Sequence, residues 1–192
     1  MSAITYNLLN AATLVGMAPP ALGGGMFGAA ALPLGLAGGG MYIIWNTNTN
    51  NRYAGISTNL ATRFQPRLET VTELGFSGVQ MNQIVVFWGT AQSQNTAGFG
   101  GVLVHPIAPV LWYGAPLNMM VDGVAVNLER LLIRFMITQL GGGGTVSNNM
   151  MAFAPYGNPT PNPITVTLNW GACPWVAAGG VAAVWPVGGP AW

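Results

Sequence analysis

Lysine is absent from this chain of 192 residues, and charge of either sign is scarce. Five Arg and four Asp or Glu make up 5% of the sequence, against about 25% in an ordinary soluble domain. Charge keeps an isolated protein dissolved, so most of this surface is not built to face water alone. A net charge of +1 excludes a polyanion-coating protein, because such surfaces cluster several Lys and Arg. It leaves room only for a nuclease that touches its substrate briefly. The single cysteine, Cys173, rules out an intrachain disulfide, and a small buried apolar thiol is favoured over a reactive one. With one Cys and one His, metal sites built from those residues are excluded as well. No cation precedes the apolar stretch within residues 1–18, so a secretory signal is weak. Residues 26–45 have about the ~20-residue length of a membrane span. Pro33 and several glycines interrupt that run, and no Lys or Arg flanks its start. A membrane partner is therefore not favoured.

The charge that is present falls in two windows. Arg52, Arg63, Arg67, Glu69 and Glu73 occupy residues 52–73, and Asp122, Glu129, Arg130 and Arg134 occupy 122–134. The first 51 and last 58 residues carry none. What fills the rest is apolar and glycine-rich, with 28 Gly and 14 Pro. That excludes disorder driven by high charge, and collagen's three-residue period is missing. The length suits one domain with a real core.

Local patterns give an organisation. Residues 1–39 read as an uncharged apolar arm, with a short helix expected over 4–15 and resistance to regular helix over 18–40. Strands are expected at 41–45 and 52–56, joined by the Asn/Thr turn at 46–51 into a hairpin. Ser57 or Thr58 caps an expected helix whose apolar residues Leu60, Phe64 and Leu68 recur every four, with Pro66 breaking or restarting it. Residues 83–90 read as a buried strand. A Gly/Pro/aromatic insertion covers 91–118, with a strand at 101–105. The clearest helix is 124–140, with Val124, Leu128, Leu131, Leu132 and Phe135 on one face and Gly141–Gly144 ending it. Residues 164–170 alternate cleanly and form the best strand pattern in the chain. The segment 141–192 is a Gly/Pro/Trp-rich C-terminal arm, partly β.

Four motifs stand in order across the charged windows. Gly40-Met41-Tyr42 is followed after ten residues by Tyr53-Ala54-Gly55, then by Ser57-Thr58-Asn59-Leu60 leading to Arg63-Phe64. Far downstream comes Ala125-Val126-Asn127-Leu128-Glu129-Arg130-Leu131-Leu132-Ile133. This set resembles the GIY-YIG nuclease family over about residues 40–140. The resemblance implies an α+β fold: a small three-stranded antiparallel sheet flanked by helices, carrying the two uncharged arms. It also implies metal-assisted phosphodiester cleavage. Glu129 would hold a single divalent metal such as Mg²⁺, a hard cation suited to oxygen ligands. Tyr42 and Tyr53 would position or deprotonate the attacking water, and Arg63 would steady phosphate charge. Plain structural roles stand beside these. Tyrosines suit a half-buried hairpin, Glu129 and Arg130 suit the polar face of a helix, and Arg63 and Glu129 suit a buried ion pair. His105 reads as a structural residue before Pro106. Phosphate loops and serine triads find no pattern here.

Two functions follow. One is a self-assembling structural subunit of a filament, tube or shell, needing no cofactor, whose arms pack against copies of itself. The other is a Mg²⁺-dependent GIY-YIG endonuclease, possessing nucleic acid as partner and Tyr42, Tyr53, Arg63 and Glu129 as its catalytic set. The missing surface charge favours assembly, and a chain poor in charge suits an extracellular or cell-surface setting, with the cytoplasm left open by the weak signal.

Overall fold

A computed structural model describes residues 2–13, 40–57, 84–97, 101–106, 118–121, 124–141, 163–173 and 176–185. These residues form nine strands and one helix: β1 (Ser2–Thr13), β2 (Gly40–Asn46), β3 (Arg52–Ser57), β4 (Ile84–Ala97), β5 (Gly101–Pro106), β6 (Asn118–Val121), β7 (Val124–Asn127), α1 (Leu128–Leu140), β8 (Ile164–Trp170) and β9 (Gly179–Trp185). Seven strands make one mixed sheet in the order β3-β2-β4-β1-β8-β9, with β5 paired to β4. β6 and β7 form a separate hairpin. The expected small three-stranded sheet flanked by helices is thus corrected. β3, β2 and β4 do form an antiparallel trio, but it is less than half of a much larger, mainly β fold.

The largest correction concerns the N-terminal arm. Residues 2–13 are not a helix on a separate arm but the middle strand of the sheet. β1 lies antiparallel to β4 along one edge and parallel to β8 along the other. Its sequence explains this, since Ile4, Tyr6 and Leu8 are fully buried while Ala3, Thr5 and Asn7 are partly exposed. That is a period of two, the spacing of a strand with one face on a core. The C-terminal segment is integral too: β8 repeats the alternation with Ile164, Val166 and Leu168 buried, and β9 pairs with it antiparallel.

The helix is shorter than expected, because Val124–Asn127 pairs as a strand with Asn118–Val121. Two residues, Asp122 and Gly123, separate these strands, and Asp-Gly is a strong hairpin signal. Asn127 then caps α1, its side-chain oxygen accepting from the Arg130 amide at 3.0 Å. Gly141 ends the helix with φ 134°, its amide reaching the Ile137 carbonyl. Leu128, Leu131, Leu132, Ile133, Phe135 and Met136 are all fully buried, so more than half the helix circumference faces apolar side chains. Each such burial stabilises by about 1.5–3 kcal/mol.

Three contacts show how the sheet meets the helix. The Tyr6 hydroxyl of β1 donates to the Leu128 carbonyl at 2.9 Å. Arg52 of β3 donates to the Leu140 carbonyl at 2.9 Å. Trp185 of β9 packs on Phe135 with ring centroids 6.1 Å apart. β3 and β9 are the two ends of the strand order, so a helix touching both requires a sheet curled around it. The core is the inside of that curl. Met41, Ile43, Ala54, Ile56, Val85 and Phe87 line it from one half, and Val166, Leu168 and Trp185 from the other.

Curling is helped by a bulge in β1. Asn7 pairs with Thr90 and Asn10 with Trp88, so Leu8 and Leu9 together face Gly89. A Cβ on Gly89 would run into the Asn7 carbonyl, so glycine is required there by close approach of backbone. The same bulge leaves Leu9 turned outward and 60% exposed.

Candidate functional site

The hairpin β2-β3 holds both tyrosines of the sequence-predicted site. Asn46 opens its turn: the Oδ1 accepts from the amides of Asn48 and Thr49 at 3.0 and 3.3 Å, an Asx turn. Asn50 adopts φ 63°, a left-handed conformation that Asn tolerates better than most residues. Tyr42 sits opposite Gly55, and Tyr53 sits opposite Ile44. Their rings stack with centroids 6.3 Å apart and planes 22° from parallel. Both are buried. The Tyr42 ring end lies over Gly55 so closely that any Cβ there would overlap its hydroxyl and Cζ. The glycine of the Tyr-Ala-Gly tripeptide therefore makes room for the tyrosine of the Gly-Met-Tyr tripeptide, an aromatic laid over a strand glycine.

Alternation decides which way these rings face. Met41 and Ile43 of β2, and Ala54 and Ile56 of β3, belong to the cluster around α1. Tyr42 and Tyr53 alternate with them and so occupy the opposite face of the sheet. Glu129 stands in the first turn of α1, on the inner side, where a carboxylate is favourable beside the helix N-terminus. The sheet thus brings Tyr42 and Tyr53 together and separates them from Glu129. Arg63 lies outside the described residues, as do Pro66, Arg67, Glu69, Glu73 and Asp122. His105 occupies a backbone position in β5 opposite Ser93. Among the described residues, no group of three or more His, Cys, Asp or Glu gathers where a metal could be held.

The charged residue that sequence reasoning passed over is Arg52. It is 4% exposed, and its guanidinium is clasped from three sides. Nη1 donates to the Leu140 carbonyl at the end of α1, and Nη2 donates to Asn50 Oδ1 at 2.8 Å. Its Cζ lies 4.3 Å from the centroid of the Trp45 ring, a cation–π contact. Trp45 Nε1 donates to the same Asn50 oxygen at 3.1 Å. Burial lowers the Arg52 pKa from its ordinary value. A cation at the last turn of a helix complements the negative end of its dipole, so this clasp locks the hairpin to the helix. The signal was in the sequence: Asn50-Asn51-Arg52 after Trp45 places an αL residue, a guanidinium and an indole around one tight turn.

No family model, curated protein or solved structure matches the chain.

The surface opposite the core differs between the two halves of the sheet. Over β3-β2-β4 it is buried: Tyr42, Ile44, Tyr53, Ile84, Val86 and Trp88 are all 8% exposed or less. Over β1-β8-β9 it is accessible and uncharged. Register places Asn7 beside Asn169 and Thr5 beside Thr167 and Ala182 in rows across the strands. Asn169 Nδ2 donates to Asn7 Oδ1 at 3.0 Å, tying two strands through their side chains. Val184 ends this face at 57% exposed. No helix among the described residues is long and apolar enough to cross a membrane, and Gly40–Asn46, the end of the apolar run at 26–45, is a strand.

Proposed function

We propose that this chain is a structural subunit that assembles with copies of itself into a filament, tube or shell. One observation carries the reading. The charged residues within the described part are Arg52, Glu129, Arg130 and Arg134, and every one is buried or half-buried. The exposed positions among the described residues are Leu9, Asn10, Asn48, Thr49, Asn50, Thr90, Thr138, Gln139, Gly141 and a run of Gly, Ala and Val near the C-terminus. An isolated soluble domain relies on exposed charge to stay dispersed. Exposed apolar surface with no charged rim marks interaction instead. Ser2–Thr13, Ile164–Trp170 and Gly179–Trp185 belong to the sheet, so part of each end of the chain is built into the folded body and offers its surface from there. An extracellular or cell-surface setting belongs to the same proposal, because few exposed charges suit material that persists as a solid outside the cell.

Sedimentation velocity and negative-stain electron microscopy of purified protein test it. Regular polymers or discrete assemblies many times 20.0 kDa are expected. A monodisperse monomer across the micromolar range would remove the proposal.

A further inference from the structure

We infer that β9 pairs edge to edge, antiparallel, with β9 of a second copy of this chain, about a two-fold axis through Ala182. The inference rests on the self-assembly reading and names its contact. β9 ends the strand order, and among the described residues its only neighbour is β8. Its outer edge therefore presents backbone donors and acceptors that another extended strand would satisfy. Proteins that must stay apart protect such edges with lysine, proline, a bulge or an inward-pointing charge. Gly179-Gly180-Val181-Ala182-Ala183-Val184-Trp185 has none of these, and its pairing with β8 runs without a register shift.

The strand is held ready. Trp185 anchors its end against Phe135. At its start the Trp170 ring covers Gly179 so closely that a Cβ would strike it, and Trp170 Nε1 donates to the Ala177 carbonyl at 3.0 Å. An edge fixed at both ends loses little freedom on pairing.

The identity of the partner follows from what the strand offers. Foreign peptides added to a sheet edge gain specificity from pockets for alternate side chains. Here the outward side chains are Gly180, Ala182 and Val184, too small to build one. A second copy needs no pocket. The strand carries no charge, so it meets itself without repulsion. A two-fold axis normal to the sheet keeps inner faces on one side. Centred on Ala182, it sets each exposed Val184 beside the partner's Gly180, large against small. Such a contact is self-complementary and closes as a dimer; growth beyond two copies uses a further surface.

The test places like charges on the axis. Ala182→Lys and Ala182→Glu each set a charge opposite its own copy, which weakens a strand pair. Each variant is expected to weaken dimerisation about tenfold or more by sedimentation equilibrium. An equimolar mixture of the two is expected to recover it, because unlike charges then meet. Thr167→Lys, one strand in from the edge on the same face, serves as control and is expected to associate like the native chain. Far-UV circular dichroism establishes that each variant retains the sheet. If the native chain assembles and both Ala182 variants associate equally well, or if mixing restores nothing, the β9 contact is overturned while self-assembly stands. If the native chain stays monomeric, the self-assembly reading fails first and this contact with it.

Discussion

Replacing Arg52 by methionine should be the most damaging single change among the charged positions described. Methionine keeps the length of the side chain but loses two hydrogen bonds from a guanidinium, to the Leu140 carbonyl and to Asn50 Oδ1. Bonds to a charged group contribute about 1.5–3 kcal/mol each, and the cation–π contact with Trp45 adds roughly 0.5–2 kcal/mol. Against these stands the cost of burying the cation, visible in its lowered pKa and in Nε, which has no hydrogen-bond partner. The net loss expected is about 2–4 kcal/mol, within the range of a broken buried network. Arg52→Lys keeps charge without the planar fork and should lose about half as much. Urea unfolding followed by far-UV circular dichroism measures both. A loss under about 0.5 kcal/mol for Arg52→Met would refute the view that this clasp holds hairpin to helix.

Other consequences can be checked in the same way. Burial raises the Tyr6 pKa well above its ordinary 10.0, so the folded state favours the neutral phenol. Its stabilising effect is complete below pH 10.0 and declines as pH climbs from there toward the higher folded value. Tyr6→Phe should cost about 1 kcal/mol near neutrality through the lost bond to Leu128, yet flatten the alkaline limb of the stability profile; an unchanged limb contradicts the assignment. Gly89→Ala forces a methyl against the Asn7 carbonyl and should cost about 2 kcal/mol or more by thermal melting, whereas a neutral result would mean the bulge is not as tight as described. Deleting residues 1–13 removes the strand between β4 and β8 and should abolish cooperative folding. A truncated chain that still melts cooperatively would show that β1 is dispensable.

Much of this fold was legible in the sequence where the pattern was local. The Asn/Thr turn and its flanking strands, the buried run Ile84–Trp88, the alternating Ile164–Trp170 and the glycine stop at Gly141 all appear at or near their expected places. The misreadings have separate causes. Residues 2–13 contain Leu8-Leu9 and Ala11-Ala12, which blur the alternation of Ile4, Tyr6 and Leu8 into something helix-like; the bulge at Leu8-Leu9 is what blurs it. Nor does anything local announce that β1 pairs in parallel with a strand over 150 positions later, because such pairing is decided by tertiary packing. The Gly-Met-Tyr and Tyr-Ala-Gly motifs form the expected hairpin, and residues 128–133 of the last motif are helical. Residues 125–127 before them are strand, and the helix expected to carry Arg63 lies outside the described residues. What four short motifs lack is the side of the sheet each occupies, and the alternation of Met41 and Ile43 with Tyr42 supplies that only once the helix is placed. Arg52 was visible as charge but not as a clasp, since its partner Leu140 is 88 positions away.

The most direct test of the account is the mass of the native chain in solution, followed by sedimentation velocity from nanomolar to high micromolar concentration. Reversible growth from the 20.0 kDa subunit to dimers and then larger assemblies is expected. A single 20.0 kDa species at every concentration would contradict it.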